Sequence, residues 1–495
     1  MVHCVDDRMS GKRADETVVK GALRWVATHQ LEWRGVGNMR RMSIMIFLWL
    51  AGWIAAASTP NLIVILTDDH GYADVGFNGC NDIPTPHIDS IAENGVRFTN
   101  GYVSFPVCGP SRAGLLTGRY QDRFGFTTNP SVDPGNPVAG LPQSEENMAE
   151  VLSKVGYKSA IIGKWHMGSH PIHHPLNRGF DYFYGFLTGG HNYYPDQLTL
   201  NDLSEVTRRW QWYRTRIMEN HERVDTDDYL TDELSDAAVR FIEEQDSGEQ
   251  PFFVYLAYNA PHTPLQATEK YLSRFPDIQD ENRRTYAAMV SAVDDGVGRV
   301  LATLRKKGLE ENTLVFFLSD NGGASNNSSE NGELRGVKSD LFEGGIRVPF
   351  AMQWRGTVPS GMDYEEPIIS LDIMGTIAEL TGVEIAKERP LDGINLIPFL
   401  TGKAEGAPHD RLFWRKWEQQ AMAIRVDDSK LVSNGQRKQK RPNLYDLNTD
   451  LGEQNNLRAM SPEKVSQLQQ EWDEWNSQLK PCIFPNLRED KWWEK

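Results

Sequence analysis

Four apolar runs constrain this chain most, because each stops on polar side chains able to do chemistry. Residues 61–71 read NLIVILTDDHG and end on Asp68 and Asp69; residues 159–168 read SAIIGKWHMG and carry Lys164 and His166. Residues 252–262 read FFVYLAYNAPH, and residues 313–323 read TLVFFLSDNGG, with Asp320 and Asn321 at the end. Continuous β-branched and aromatic runs of this length predict strands buried on both faces, hence a parallel or mixed sheet. Helical patterns lie between them. In YLTDELSDAAVRFIEEQ, Leu230, Leu234, Ala237, Ala238 and Phe241 share one face, and YAAMVSAVDDGVGRVLATLRKKG predicts a longer helix. The alternation predicts a layered α/β domain with a large, mostly parallel central sheet between helices. In such sheets ligands collect beyond the carboxyl ends of the strands, so four polar strand ends would face one crevice.

The 495 residues exceed one small domain. After about residue 400 the texture changes. RLFWRKWEQQAMAIRVDDSKLVSN reads as short strands and turns, and SPEKVSQLQQEWDEWNSQL as a polar amphipathic helix opening at Ser461-Pro462. We therefore expect a catalytic domain over 58–400 and a smaller α+β domain over 401–495. The N-terminus reads separately. MRRMSIMIFLWLAGWIAAAS, residues 39–58, has two arginines, an apolar run too short to span a bilayer, and a small-residue cleavage pattern at 55–57. That pattern predicts a signal peptide and export to the periplasm or the medium, with 1–38 as an extension before it. The net charge is −16, and removing a +3 segment over 1–57 leaves about −19. Such a chain is no general nucleic-acid binder, and one that handles anionic substrates needs a local basic pocket.

Residues 105–120, FPVCGPSRAGLLTGRY, place a cysteine at a predicted helix start. Pro110 suits the first helical position, Leu115 and Leu116 can face a core, and Gly118 followed by Arg119 ends the helix. Cys108 then lies where free backbone N–H groups favour an anion. A thiol there could be a nucleophile, a metal ligand, half of a disulfide, or a precursor. Cys80 and Cys482 could pair with each other, which leaves Cys108 over; Cys4 falls in the discarded segment.

Asp68, Asp69, Asp320 and Asn321 offer only oxygen donors, which suit Ca²⁺ or Mg²⁺ rather than zinc. One strand-end Asp usually caps the next helix, but two such pairs on separate runs weaken that reading. Lys164 and His166 alternate, so on a strand they point the same way. His262, in NAPHTP, is held in a Pro-bracketed loop. Lys338, in RGVKSDLFEGGIRVP, is uninformative alone.

Cys108-Gly109-Pro110-Ser111-Arg112, four residues, then Thr117-Gly118 match the sulfatase signature C-x-P-S-R-x(4)-T-G, and GKWHMG at 163–168 resembles the second signature. The likeness runs in family order from PNLIVILTDDHGYADVG to LYDLNTDLGEQNNL. The chain thus resembles a type I, formylglycine-dependent sulfatase of the arylsulfatase group in the alkaline phosphatase superfamily. The resemblance implies that a maturation enzyme oxidises Cys108 to formylglycine (3-oxoalanine). One hydroxyl of the hydrated aldehyde would attack sulfur, and the geminal hydroxyl would let the sulfated residue collapse and release sulfate. It implies one Ca²⁺ per chain, held by Asp68, Asp69, Asp320, Asn321 and the modified Cys108. Arg112, Lys164 and His166 would orient and activate the hydrate. His262 and Lys338 would contact the sulfate, with His262 the acid for the leaving oxygen.

Two other classes stay open. A related phosphatase or phosphodiesterase would be expected to use Ser or Thr with two zincs. A catalytically silent carbohydrate-binding relative would be expected to lose Cys108, Lys164 or His262. The expected substrates are sulfated carbohydrates or aryl sulfates. GGHNYYP (189–195), with His191, and RRWQWYRTR (208–216) mix aromatic and basic residues that could stack on sugars and pair with extra sulfates, or simply fill the core.

Overall fold

A computed structural model describes residues 59–245, 250–435, 441–485, 487 and 491–494. The expected signal peptide and extension lie outside these residues. No helix among the described residues is long and apolar enough to cross a membrane.

The apolar runs are strands. In chain order the main sheet contains β1 (Asn61–Thr67), β2 (Val96–Phe98), β3 (Lys158–Lys164), β4 (Tyr182–Phe186), β5 (Ile217–Glu219), β6 (Glu222–Val224), β7 (Phe252–Ala257), β8 (Thr313–Ser319), β9 (Phe350–Gln353) and β10 (Met362–Tyr364). Their order in space is β10-β2-β9-β8-β1-β7-β3-β4-β5-β6. The five central strands, β8-β1-β7-β3-β4, are parallel. Antiparallel pairing enters only at β9 on one side and β5 on the other. Every residue of β1, β7 and β8 is buried, as continuous apolar runs require.

Side-chain alternation divides the core between two faces. From β1, Leu62, Val64 and Leu66 join Leu115 and Leu116 on one face. Ile63 and Ile65 join the other, with Leu234, Ala238, Val293 and Leu301. Each such side chain stabilises the fold by about 1.5–3 kcal/mol through burial. Helices cover both faces: α1 (Pro86–Glu93), α2 (Cys108–Thr117), α3 (Leu230–Glu243), α4 (Glu281–Lys307) and α5 (Asp372–Thr381). In α4 the Asp280 carboxylate accepts the Arg283 N–H, and Gly308 closes the far end at φ 68 beside Arg305, Lys306 and Lys307, whose charges suit a helix C-terminus.

A separate antiparallel sheet follows in β11 (Leu412–Lys416), β12 (Ala421–Val426), β13 (Ser429–Ser433) and β14 (Asn443–Asp446), with α6 (Pro462–Asn476) against it. Its other face shares a core with the large sheet's surroundings. Trp414 packs on Tyr102 and its indole N–H donates to the Val103 carbonyl (2.8 Å). Lys430, fully buried, lies 2.7 Å from Glu343 and 3.0 Å from Glu453.

Register aligns the strand ends. Thr67 of β1 faces Ser319 of β8, Leu66 faces Ala257 of β7, and Ala257 faces Gly163 of β3. Asp68-Asp69, Asp320-Asn321, Lys164 and the loop to His262 therefore leave the sheet at one edge.

Candidate active site

That edge opens on a cavity of about 1130 Å³ lined in part by Asp69, Cys108, His166, His262 and Lys338. Cys108 enters from α2, which begins one turn-fraction earlier than Pro110 suggests: Cys108 is its first residue and Pro110 its third. Val107 offers no side-chain cap, and Asn129 Oδ1 accepts the Gly109 N–H instead (2.9 Å). Gly118 ends the helix at φ 65, as expected. Cys80 and Cys482 are free: their thiols face the Asp82 carboxylate and the Phe484 carbonyl separately.

Lys338 Nζ lies 3.1 Å from Cys108 Sγ and 2.6 Å from Asp69 Oδ1. Asn321 Nδ2 donates to the same Asp69 oxygen (2.8 Å), and His262 Nε2 is 3.6 Å from the other. Asp69 adopts φ 62, a left-handed backbone that costs an ordinary residue about 1–3 kcal/mol; Asn327 Nδ2 holds its carbonyl at 3.0 Å. Arg112 is fully buried, donates through Nε to Asp320 Oδ2 (2.8 Å) and through Nη1 to the Lys164 carbonyl, and its Nη2 lies 2.8 Å from the same Asp320 oxygen as an ion pair. Lys164 pairs with Asp68 Oδ2. Two buried cations thus hold two of the expected metal-ligating carboxylates.

The electrostatics follow from this packing. Burial opposes ionisation of Asp69, but Lys338 and His262 outweigh it and bring its pKa down to about 2. Burial and the Asp68 charge push Asp320 up to about 6 against Arg112 and Lys164. Burial pushes the Cys108 thiol up to about 12, despite Lys164 and Lys338, so an unmodified Cys108 is no thiolate nucleophile at neutral pH. Burial brings His262 down to about 4. His166 is lowered well below its usual value by burial, then by Lys164, Arg112 and Lys338.

At this site the buried atoms without a hydrogen-bond partner include Asp68 Oδ1, Asn321 Oδ1 and both ring nitrogens of His166. Such atoms are costly without a ligand. One carboxylate oxygen each from Asp68, Asp69 and Asp320 and the Cys108 sulfur all lie within 4.8 Å of one another.

Asp68, Asp69, Cys108, Arg112, Lys164, His166, His262, Asp320, Asn321 and Lys338 therefore converge on one cavity floor. His191 does not. Its ring is buried against Phe186, with Nδ1 3.0 Å from the Asn192 carbonyl and Nε2 facing Thr215, so it lies behind the wall and does not line the cavity. The aromatic segment Trp210, Trp212, Tyr213 and Arg214 lines the cavity, with Trp212 fully buried in the wall and Trp210 half exposed. Sequence reasoning misses Asn129 and Asn327, whereas Tyr213 falls within the aromatic segment 208–216 that it singles out. Asn327 lies in a polar ASNNSSENG stretch with no periodicity to single it out.

Residues 60–383 match the sulfatase family, and 337–479 match the C-terminal region of N-sulphoglucosamine sulphohydrolase. The sulfatase YdeN of Escherichia coli (strain K12) is 31% identical over 498 residues, covering 83% of this chain and 84% of that protein. N-acetylgalactosamine-6-sulfatase of Mus musculus is 35% identical over 368 residues, covering 72% of this chain and 69% of the other. The crystal structure of Ps i-CgsB superposes with a TM-score of 0.82 at 38% identity, over 88% of this chain and 97% of that one; the same protein in complex with k-i-k-neocarrahexaose gives 0.81 at 37%, over 86% and 94%. The signature cysteine at a buried helix start, facing paired strand-end carboxylates, thus lies in a chain that belongs to the sulfatase family of the alkaline phosphatase superfamily and hydrolyses sulfate esters.

Proposed function

We propose that the protein removes sulfate from sulfated carbohydrates after oxidation of Cys108 to formylglycine, with one Ca²⁺ at the cavity floor. The observation that carries this reading is that Lys338 touches both Cys108 and Asp69, whose sulfur and carboxylate lie within 4.8 Å of each other. The neocarrahexaose complex of Ps i-CgsB supports a carbohydrate substrate; aryl sulfates are smaller esters the same floor would take. The segment at 39–57 supports export, with 58–400 as the catalytic domain and 401–495 as the smaller one.

The donor set fits a hard divalent cation. Asp68, Asp69, Asp320 and Asn321 would hold it, and two of their oxygens are buried without a partner. Bound there, the cation supplies Lewis acidity toward the sulfuryl oxygens and the nucleophile. Formylglycine supplies a hydrated aldehyde, a nucleophile that also carries its own means of releasing sulfate.

The chain's other residues bind, orient and move protons. Arg112 and Lys164 fix the Asp320 and Asp68 carboxylates from behind. His166, with both nitrogens unpaired, orients and activates the nucleophilic hydroxyl. Lys338 binds a sulfate oxygen and offsets charge developing there. The Thr263 carbonyl accepts from His262 Nδ1 (2.6 Å), which leaves Nε2 facing the leaving oxygen; burial keeps the resting ring neutral, so Nε2 takes up a proton, favoured by the Asp69 charge beside it, before it passes that proton to the leaving oxygen.

The test is chemical. Peptide mass spectrometry over residues 105–112 of active enzyme should show formylglycine at Cys108, and Cys108→Ala should abolish sulfate release from 4-nitrophenyl sulfate. Elemental analysis should find one calcium per chain. Active enzyme carrying only an unmodified thiol, or two bound zincs, would overturn the mechanism.

A further inference from the structure

We propose that the cavity wall running from His166 to Trp210 is a subsite for a second sugar ring, so that the substrate is an oligosaccharide and not a lone sulfated sugar. This inference rests on the carbohydrate reading above and deepens it.

The wall is continuous. Gly189 approaches His166 so closely that an added Cβ would lie 2.5 Å from Nε2. At Gly190 an added Cβ would lie 2.4 Å from the Tyr213 hydroxyl. Tyr213 in turn meets Trp210 edge to face, with ring centroids 5.8 Å apart. A side chain at either glycine would break the path from the reacting floor to the indole.

Trp210 has the features of a preformed platform. It is 49% exposed, an unusual state for a large aromatic, and it lines the cavity. Its backbone is left-handed, at φ 70. The Arg209 guanidinium lies over the ring, 4.8 Å from its centroid, so the proposed contact is with the half of the indole that stays exposed; backbone strain of this kind gathers at ligand sites. The turn is stapled on both sides. Gln211 Oε1 accepts the N–H groups of Thr207 (2.9 Å) and Arg208 (3.1 Å), and the Thr207 hydroxyl (3.1 Å). Behind it, Trp212 is fully buried and its ring lies 5.2 Å from that of Trp210. The ring is therefore fixed before any ligand arrives, which lowers the ordering cost of binding.

The chemistry of the wall selects a sugar. An indole face receives the C–H face of a pyranose, whose hydrogens are weakly positive against the ring's negative face. Arg214, also on the wall and donating to Thr199 Oγ1 (2.6 Å), offers a cation for a hydroxyl or a further sulfate. A purely apolar ligand would leave that guanidinium unanswered. The cavity volume, about 1130 Å³, also exceeds the roughly 300–1,000 Å³ usual for small-molecule pockets.

The test compares Trp210→Ala, Trp210→Phe and wild type, all matured and normalised to formylglycine content. The substrates are 4-nitrophenyl sulfate, k-i-k-neocarrahexaose, and tetrasaccharides from chondroitin 4- and 6-sulfate. On the oligosaccharides that wild type cleaves, Trp210→Ala should lower kcat/KM by about tenfold or more, chiefly through KM. Its loss on the aryl ester should be at least about tenfold smaller than its loss on the oligosaccharide, and Trp210→Phe should recover most of the difference. Binding of the cleaved oligosaccharide to the Cys108→Ala protein should quench tryptophan fluorescence, and Trp210→Ala in that background should weaken it. Oligosaccharide turnover within about twofold of wild type in Trp210→Ala, or an equal loss on both substrate types, overturns the subsite. Matured enzyme that releases sulfate from the aryl ester and from none of the oligosaccharides overturns the carbohydrate reading, and the subsite with it.

Discussion

Replacing Gly189 by alanine tests whether His166 works from where the structure holds it. The added Cβ would stand 2.5 Å from Nε2, 2.7 Å from Cε1 and 3.1 Å from Cδ2, so it meets a ring edge and not one movable atom. Ordinary contact begins near 3.4 Å. The ring must therefore retreat by about 0.9 Å, the difference between 3.4 and 2.5 Å. It has little room, because His166 is buried and its own backbone is left-handed at φ 59. Forcing one extra methyl into packed surroundings costs about 1–3 kcal/mol of stability, which the large core absorbs. Moving an active-site group by about 1 Å costs about 10²-fold in rate. Gly189→Ala should thus fold, melt a few degrees lower, and lose about two orders of magnitude in kcat on 4-nitrophenyl sulfate, normalised to formylglycine content. Activity within about threefold of wild type at an unchanged melting temperature would show that His166 is not in contact with the reaction.

Two further predictions concern stability. Lys430→Met leaves the buried Glu343 and Glu453 without their shared cation, so unfolding in urea should show a loss of about 3–5 kcal/mol; a change below about 1 kcal/mol would refute the importance of that buried pairing. At His409, burial favours the neutral ring, but the Asp372 carboxylate 2.8 Å from Nε2 outweighs it, with Asp392 and Asp410 adding, and raises the pKa above 6.5. A raised histidine contributes stability that is fully present below its unfolded pKa and is lost as pH rises through the folded value. The difference in unfolding free energy between wild type and His409→Asn should therefore be larger at pH 6 than at pH 9; a difference independent of pH would refute the pairing.

The strand ends are legible in the sequence because strands buried on both faces admit no charge in their interiors. Asp68, Lys164 and Asp320 are the first charged side chains at the carboxyl ends of such runs, and parallel register brings them level. The long helices are legible for the same reason, since one apolar face repeats. What lies beyond is set by contacts distant in sequence. His191 and Trp210 both sit in aromatic, polar segments, yet one turns inward to Phe186 and the other outward, and no local pattern separates them. Pro110 suggests a helix starting at itself, but Asn129 satisfies the Gly109 N–H and lets the helix begin at Cys108. The docking of the C-terminal sheet depends on Lys430 meeting Glu343, 87 residues away, which no spacing rule reveals.

Helix α2 has no solvent face: all ten residues, Cys108 to Thr117, are buried. A maturation enzyme that must grip the polypeptide around Cys108 has nothing to hold once this helix is in place. Under the maturation proposed above, oxidation of Cys108 would be a kinetic competition with folding, won only while the segment is still extended. A variant that folds faster could emerge more stable and less active, its unconverted fraction fixed for the life of the molecule. For a protein matured that way, the yield of working enzyme would be decided before folding is complete, by the order of two events and not by the depth of the native energy minimum.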